Sequence, residues 1–299
     1  MEKEELLWEV EDQAARLAEL TSGSPEVKEA PLRRDVRSLG QLLGEVLKEQ
    51  AGPALFDRVE RLRLLAIEHR ELQSQERADA GAVPDRYRLL NLARQSVSEI
   101  TVTQAYQLTK AFSIYFELTN LAETNHRKRR RRAAELLIDR PAQPGDLRGT
   151  LLRMRAAGIS AGDALELLRR IKVIPVFTAH PTEVARRTVL FKRQRISERL
   201  EQLNRLPLSD REAAKIAAEI AADITALWQT DEVRRSKPTV RDEIKMGLDY
   251  YPGSLIPTLP GLYEEIAEAF RFAYGCDLSE RELPTVVMFG SWIGGDRDG

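Results

Sequence analysis

One short segment constrains the fold of this 299-residue chain more than any other: an apolar run that stops abruptly at a histidine motif. The run is Val173–Phe177, and the residues that follow it, 178–183, read TAHPTE. Short runs rich in Val and Ile between turn residues are typical of buried strands. Pro181 cannot extend a strand and keeps His180 out of the helical region, while Thr182 can cap a following helix. The segment therefore predicts a histidine at the carboxyl end of a buried strand, where α/β proteins bind ligands. The local pattern fits a core histidine in a tight turn equally well.

Helical patterns occupy most of the remaining sequence, with apolar residues at three-to-four spacing and a loop predicted at Pro252–Pro260. A second apolar run, Thr285–Phe289, predicts a second buried strand more than a hundred residues after the first. We therefore predict a mainly α fold with a few parallel strands, the incomplete core of an α/β (TIM-like) barrel wrapped by many helices. Residues 1–170 form the predicted N-terminal helical region and 171–299 the start of the barrel-like core. We expect the two to make one structural unit in the full-length protein.

Composition excludes several classes of function. The 46 basic and 47 acidic residues give a net charge of −1, which does not favour nucleic acid or anionic membrane as a partner. The single cysteine, Cys276, cannot form an intrachain disulfide, and the acidic N-terminus has no apolar signal core. We therefore expect a cytoplasmic protein. The basic run 126–132 lacks interleaved aromatics, so a solvated helix face or a subunit contact is a better interpretation than nucleic-acid binding.

A polar loop after the second apolar run offers complementary chemistry. Gly294 and Gly295 let the backbone approach a ligand closely, and Arg297 is a planar donor suited to phosphate or carboxylate. Asp296 can orient the guanidinium group or be a surface turn residue. Together with His180, the loop predicts an enzyme that uses a histidine acid or base and an arginine clamp on a small anionic substrate.

Four segments together resemble the phosphoenolpyruvate carboxylases, in their bacterial form. They are SLGQLLGEV at 38–46, FTAHPTE at 177–183, LWQTDE at 227–232 and GSWIGGDRDG at 290–299, and they occur in the family's order. The resemblance covers nearly the whole chain from about residue 35.

The resemblance implies a carbon–carbon lyase of anaplerotic metabolism. Such an enzyme joins phosphoenolpyruvate and bicarbonate to give oxaloacetate and phosphate, with Mg²⁺ or Mn²⁺, and supplies the tricarboxylic acid cycle. His180 matches the histidine that accepts the proton that frees CO₂, and Arg297 matches an arginine that binds the substrate's phosphate. Trp292, Gly294, Gly295 and Asp296 would support the loop. Arg186, Arg187 and Arg234 match arginines linked to allosteric sugar-phosphate activation, although helix-surface charge explains them equally well. The resemblance also implies a homotetramer.

The chain departs from the family in length, since it stops inside the glycine-rich motif. The resemblance implies that the metal ligands and the other active-site residues lie beyond Gly299, so no metal ligand is assigned in this chain. We expect the fragment alone to be inactive and to expose apolar surface that a complete barrel covers. The alternative interpretation is a short, non-catalytic helical protein that binds an anion or a carboxylase subunit.

Overall fold

The fold is described by a computed structural model over residues 13–76, 85–135, 145–178, 187–231, 239–279 and 281–295. Within those ranges the chain is mainly helical. The α-helices are α1 (Gln13–Thr21), α2 (Pro25–Ala51), α3 (Pro53–Glu76), α4 (Asp85–Ser98), α5 (Val102–Glu135), α6 (Leu147–Ala156), α7 (Ala161–Arg170), α8 (Arg187–Gln202), α9 (Asp210–Gln229), α10 (Val240–Tyr250) and α11 (Ile256–Tyr274). A π-helical turn, Tyr251–Leu255, joins α10 to α11, and the strands are β1 (Val176–Phe177) and β2 (Gly290–Ser291).

This architecture confirms a mainly helical chain with parallel strands. The described elements include those two strands and no closed barrel, so the barrel stays a prediction. None of the described helices is long and apolar enough to cross a membrane. The chain divides into two units, the first made of 1–137 and 188–232 and the second of 138–187 and 233–299.

The first unit is a bundle around α2, α5, α8 and α9. Helix α9 begins at a capping box, in which the Ser209 hydroxyl accepts from the Glu212 amide at 3.3 Å and the Glu212 carboxylate accepts from the Ser209 amide at 3.1 Å. Each helix contributes an apolar stripe at three-to-four spacing, which is the reason that it packs. The most buried members are Leu39, Leu47, Ile114, Leu118, Ile196, Leu200, Ile220 and Ile224.

The second unit packs α6, α7 and α11 around a smaller apolar core. Phe270 of α11 is its largest fully buried side chain, and Val286 brings the segment before β2 into the same core. Helix α11 ends at Gly275, whose φ of +70° suits the left-handed position that follows many helices. The Arg155 guanidinium donates to the carbonyl of Ala273 at 2.7 Å, which satisfies one of the last carbonyls of α11.

The two predicted strands do pair, but further along the second run than expected. The ladder begins with a parallel bridge between Val173 and Val287 and continues with Val176 opposite Gly290. Only the start of this ladder lies within the predicted strand Thr285–Phe289, so the predicted end was too early. Gly290 extends the ladder because a β-carbon there would meet the Val176 side chain at 3.2 Å, and glycine avoids that contact.

The predicted burial holds for Val286, which is 5% exposed, but is wrong for much of the two runs. Val173 is 53% exposed, Ile174 50% and Met288 50%. Within the described residues β1 pairs along one edge only, with β2. A two-stranded sheet leaves most of its faces without a packing partner, so apolar character alone does not bury it.

The prediction of a loop at Pro252–Pro260 also needs correction. The predicted loop Pro252–Pro260 forms the π-helical turn and the first turn of α11. Pro252 and Pro257 lie at the first positions of these segments, where a missing N–H is tolerated. Pro260 lies inside α11, so proline did not mark a break in this part of the chain.

The basic run 126–132 is only partly a solvated face. His126 is 6% exposed and Arg129 8%, because one side of α5 packs towards α2.

Candidate active site

The histidine loop and the arginine loop leave from the same end of the strand pair. Phe177 lies opposite Ser291, and the Trp292 amide donates to the Phe177 carbonyl at 2.7 Å. Parallel neighbours lie about 4.8 Å apart, so the backbones of the two motifs start next to each other. His180 follows three residues after Phe177 in the sequence and lies outside the described residues. The sequence prediction that both loops follow parallel strands is therefore confirmed at the strand ends.

A tight turn starts the arginine loop. The Gly295 amide donates to the Trp292 carbonyl at 2.9 Å, and Gly294 has a φ of +81° at the third position of the turn. Type II turns need glycine at that position, since a β-carbon is strained there. The turn packs against the start of α10. A β-carbon at Gly294 would lie only 3.4 Å from the Val240 side chain. Trp292 itself is 61% exposed.

An aromatic cluster lies beside the strand ends, and the sequence analysis missed it. The ring of Phe177 is 6.0 Å from Tyr250 and 5.8 Å from Tyr251, and Tyr251 meets Phe289 edge-on at 5.4 Å. Tyr251 begins the π-helical turn, a feature that often occurs at functional sites. The available signal was the pair of tyrosines, Tyr250 and Tyr251, directly before the predicted loop Pro252–Pro260.

A buried carboxylate, Glu243, was also missed. It is 6% exposed and lies on the face of α10 that carries Val240 and Gly247. Those two positions contact the arginine loop, where Ile293 approaches the Gly247 position to 3.1 Å. Glu243 makes no side-chain hydrogen bond or ion pair with any residue that the structure describes. Its spacing of three from Val240 and four from Gly247 was the signal in the sequence.

The charged residues predicted for the site lie mostly outside the described residues. This applies to His180, Asp296 and Arg297, and to Arg186 and Arg234 of the suggested anion site. Arg187 is the first residue of α8. Their roles stay predictions. Among the described residues, no group of three or more His, Cys, Asp or Glu side chains could hold a metal ion.

Comparison with known proteins identifies the family. The sequence model of the phosphoenolpyruvate carboxylases matches residues 32–299. The chain is 39% identical to a phosphoenolpyruvate carboxylase of Paraburkholderia xenovorans over 92% of its own length and 26% of that protein. It is 38% identical to one of Ralstonia nicotianae, over 93% of this chain and 27% of that protein. It is 34% identical to one of Azorhizobium caulinodans, over 95% of this chain and 29% of that protein. The chain thus spans about a quarter of the length of these relatives, and it belongs to the phosphoenolpyruvate carboxylase family.

Proposed function

We propose that this chain forms part of an enzyme that joins phosphoenolpyruvate and bicarbonate to give oxaloacetate and phosphate. The observation that supports this most is the pair of motif loops that leave adjacent ends of parallel strands in a chain of this family. In α/β proteins, ligands bind at the carboxyl ends of such strands. The reaction would supply the tricarboxylic acid cycle, and we propose a cytoplasmic location for it.

His180 is the proposed general base. A bicarbonate oxygen attacks the phosphorus of phosphoenolpyruvate, and the bond from phosphorus to the enol oxygen breaks to give carboxyphosphate and the pyruvate enolate. His180 then takes the proton of the carboxyl group while the bond from carbon to the phosphate oxygen breaks. CO₂ and phosphate are released, and the enolate carbon attacks CO₂ to form oxaloacetate. Imidazole is the side chain best suited to take up and release a proton at neutral pH.

Arg297 is the proposed clamp on the substrate's phosphate. A guanidinium group offers parallel N–H donors that match phosphate oxygens. The Trp292–Gly295 turn, followed by Asp296, would set the direction in which Arg297 leaves the strand. Glu243, buried on α10 beside that turn, is able to accept a hydrogen bond from a donor of the loop.

The remaining parts of the site are proposed to lie in the longer protein. A divalent cation, Mg²⁺ or Mn²⁺, would stabilise negative charge on phosphate and enolate, and the described residues supply no cluster of ligands for it. Arg186, Arg187 and Arg234 are the candidates for an allosteric anion site. The enzyme would be a homotetramer, and this chain alone would form no oxaloacetate.

The role of His180 is tested by His180→Asn in the full-length enzyme. Oxaloacetate formation should be lost, since no other base is assigned to the carboxyl proton. Bicarbonate-dependent phosphate release can persist, because the first step does not need this proton transfer. A coupled assay for oxaloacetate and a phosphate assay, run on the same preparation, separate the two steps. Carboxylation at the rate of the unmodified enzyme would rule out the assignment.

Arg297→Gln in the same enzyme tests the clamp. A charge-assisted hydrogen bond contributes about 1.5–3 kcal/mol, so the KM for phosphoenolpyruvate should rise roughly 10- to 150-fold. Arg271→Gln is the matched control, because Arg271 is exposed on α11 and its ion pair with Asp277 is long, at 3.9 Å. An unchanged KM in Arg297→Gln would contradict the assignment.

A further inference from the structure

Three arginines from three helices line one small cavity in the first unit. They are Arg16 of α1, Arg34 of α2 and Arg129 of α5, and the cavity measures about 30 Å³. Leu20, Pro31, Leu203, Asn204 and Leu206 complete its lining. Apart from Asn204, the other lining residues are apolar, and the Arg129 side chain is only 7% exposed.

Two carboxylates offset these three cations. Glu19 accepts two N–H groups of Arg34, at 2.8 and 3.4 Å. Asp35, which is 2% exposed, accepts from Arg129 and from the Asn125 amide. Arg16 makes no ion pair with any residue in the described part of the chain. The cluster of three guanidinium groups and two carboxylates therefore carries one positive charge in excess.

Each guanidinium group also has a buried N–H without an acceptor. These are Nη1 of Arg16, Nε of Arg34 and Nε of Arg129, none of which has a hydrogen-bond partner among the residues that the structure describes. A buried donor left without a partner costs about 1–3 kcal/mol, and more when it is charged. Burial lowers the pKa of Arg16 below its ordinary value, and repulsion by Arg34 and Arg129 lowers it further. The carboxylates of Asp35 and Glu19 act in the opposite direction but do not restore the ordinary pKa of Arg16.

We propose that this cavity binds one small inorganic anion, of the size of chloride, between the guanidinium groups of Arg16, Arg34 and Arg129. The cavity exceeds the roughly 10–15 Å³ that one water-sized guest needs. A single anion between the three guanidinium groups neutralises the excess charge of the cluster. The site uses residues of the first unit alone, and none of them has a role in the proposed carboxylation.

Arg16→Gln is the informative variant, because Arg16 forms no ion pair with a described residue, while Arg34 and Arg129 each pair with a carboxylate. Arg211→Gln is the matched control, since Arg211 is an exposed arginine of α9 in the same unit. In the full-length protein, binding is read from the broadening of the chloride NMR signal. The broadening should fall severalfold in Arg16→Gln and stay unchanged in Arg211→Gln. Equal broadening in Arg16→Gln and the unmodified protein would overturn the proposal and leave an ordered water as the occupant.

Thermal unfolding gives a second readout with a characteristic sign. When chloride replaces gluconate at constant ionic strength, the unmodified protein should gain a few degrees in Tm, because the anion binds the folded state. Arg16→Gln should gain nothing, and in gluconate its Tm should equal or exceed that of the unmodified protein, since it lacks one repelled cation. An equal gain in both proteins would indicate general charge screening and would refute a specific site.

Discussion

Replacing Asp35 by asparagine should destabilise the first unit by about 3–5 kcal/mol. The side chains of Asp35 and Arg129 are only 3% and 7% exposed, and the carboxylate also accepts from Asn125. Asn125 in turn accepts from the Asn204 amide at 2.9 Å, so the pair anchors a buried polar network between α2, α5 and the segment after α8. Asparagine keeps the shape of the side chain and removes its charge.

The magnitude follows from the burial of the pair. Two unit charges about 4 Å apart attract by about 4 kcal/mol at an effective dielectric constant of about 20. In Asp35→Asn that attraction is lost, while the guanidinium group of Arg129 stays buried and without hydration to compensate. In the double variant Asp35→Leu, Arg129→Met neither charge is buried, so the double variant should lie within about 1.5 kcal/mol of the original protein or be more stable.

Urea unfolding of the 299-residue chain measures both variants. Far-UV circular dichroism follows the helices, and the fluorescence of Trp228, which is 8% exposed in the core of the first unit, follows its packing. A loss below about 1 kcal/mol in Asp35→Asn would refute the argument, because the charge of Arg129 would then be solvated. A double variant as unstable as the single one would also refute it, since the cost would then come from shape.

Two further predictions concern the same unit. Burial, and next to it the positive charge of Arg129, lowers the pKa of His126, so the folded state binds fewer protons than the unfolded state below about pH 6.5. Stability should therefore fall as the pH drops below about 6.5, by up to about 1.4 kcal/mol per pH unit, and urea unfolding of His126→Gln should lack this component. Gly44→Ala should destabilise α2 by up to about 2 kcal/mol, because its β-carbon would lie 2.8 Å from the Phe56 ring, and that overlap exceeds the gain in helix propensity. Gly40→Ala, with 3.6 Å of space, should stabilise instead, and equal stabilisation by both alanines in thermal unfolding would show that Phe56 moves aside freely.

The helices were predictable because their apolar spacing is a local property. Leu39, Leu43 and Leu47 recur at intervals of four, and the structure buries all three. Burial of the strands was not predictable in the same way. Val173 is as apolar as a core residue, but whether it is buried depends on what covers the sheet, and that is decided by residues far away in sequence.

The basic run shows the same limit for charged residues. Composition indicated a solvated surface, and Arg127, which is exposed, fits that prediction. Arg129, two positions later, faces the opposite side of α5 and meets a carboxylate that lies 94 residues earlier in the sequence. A charge pattern predicts exposure only until tertiary packing supplies a partner, and no local signal in residues 126–132 indicates that Asp35 is there.

The two glycines of the arginine loop, Gly294 and Gly295, differ in how far the fold explains them. The sequence suggested that Gly294 and Gly295 both allow close approach of a ligand. Gly294, however, has a positive φ in the turn and packs against Val240, so the fold alone requires it. Gly295 has no positive φ, and among the described residues its β-carbon position meets the Trp292 carbonyl, at 3.7 Å. The described structure therefore does not itself require glycine at position 295, and close approach of a ligand there stays a prediction.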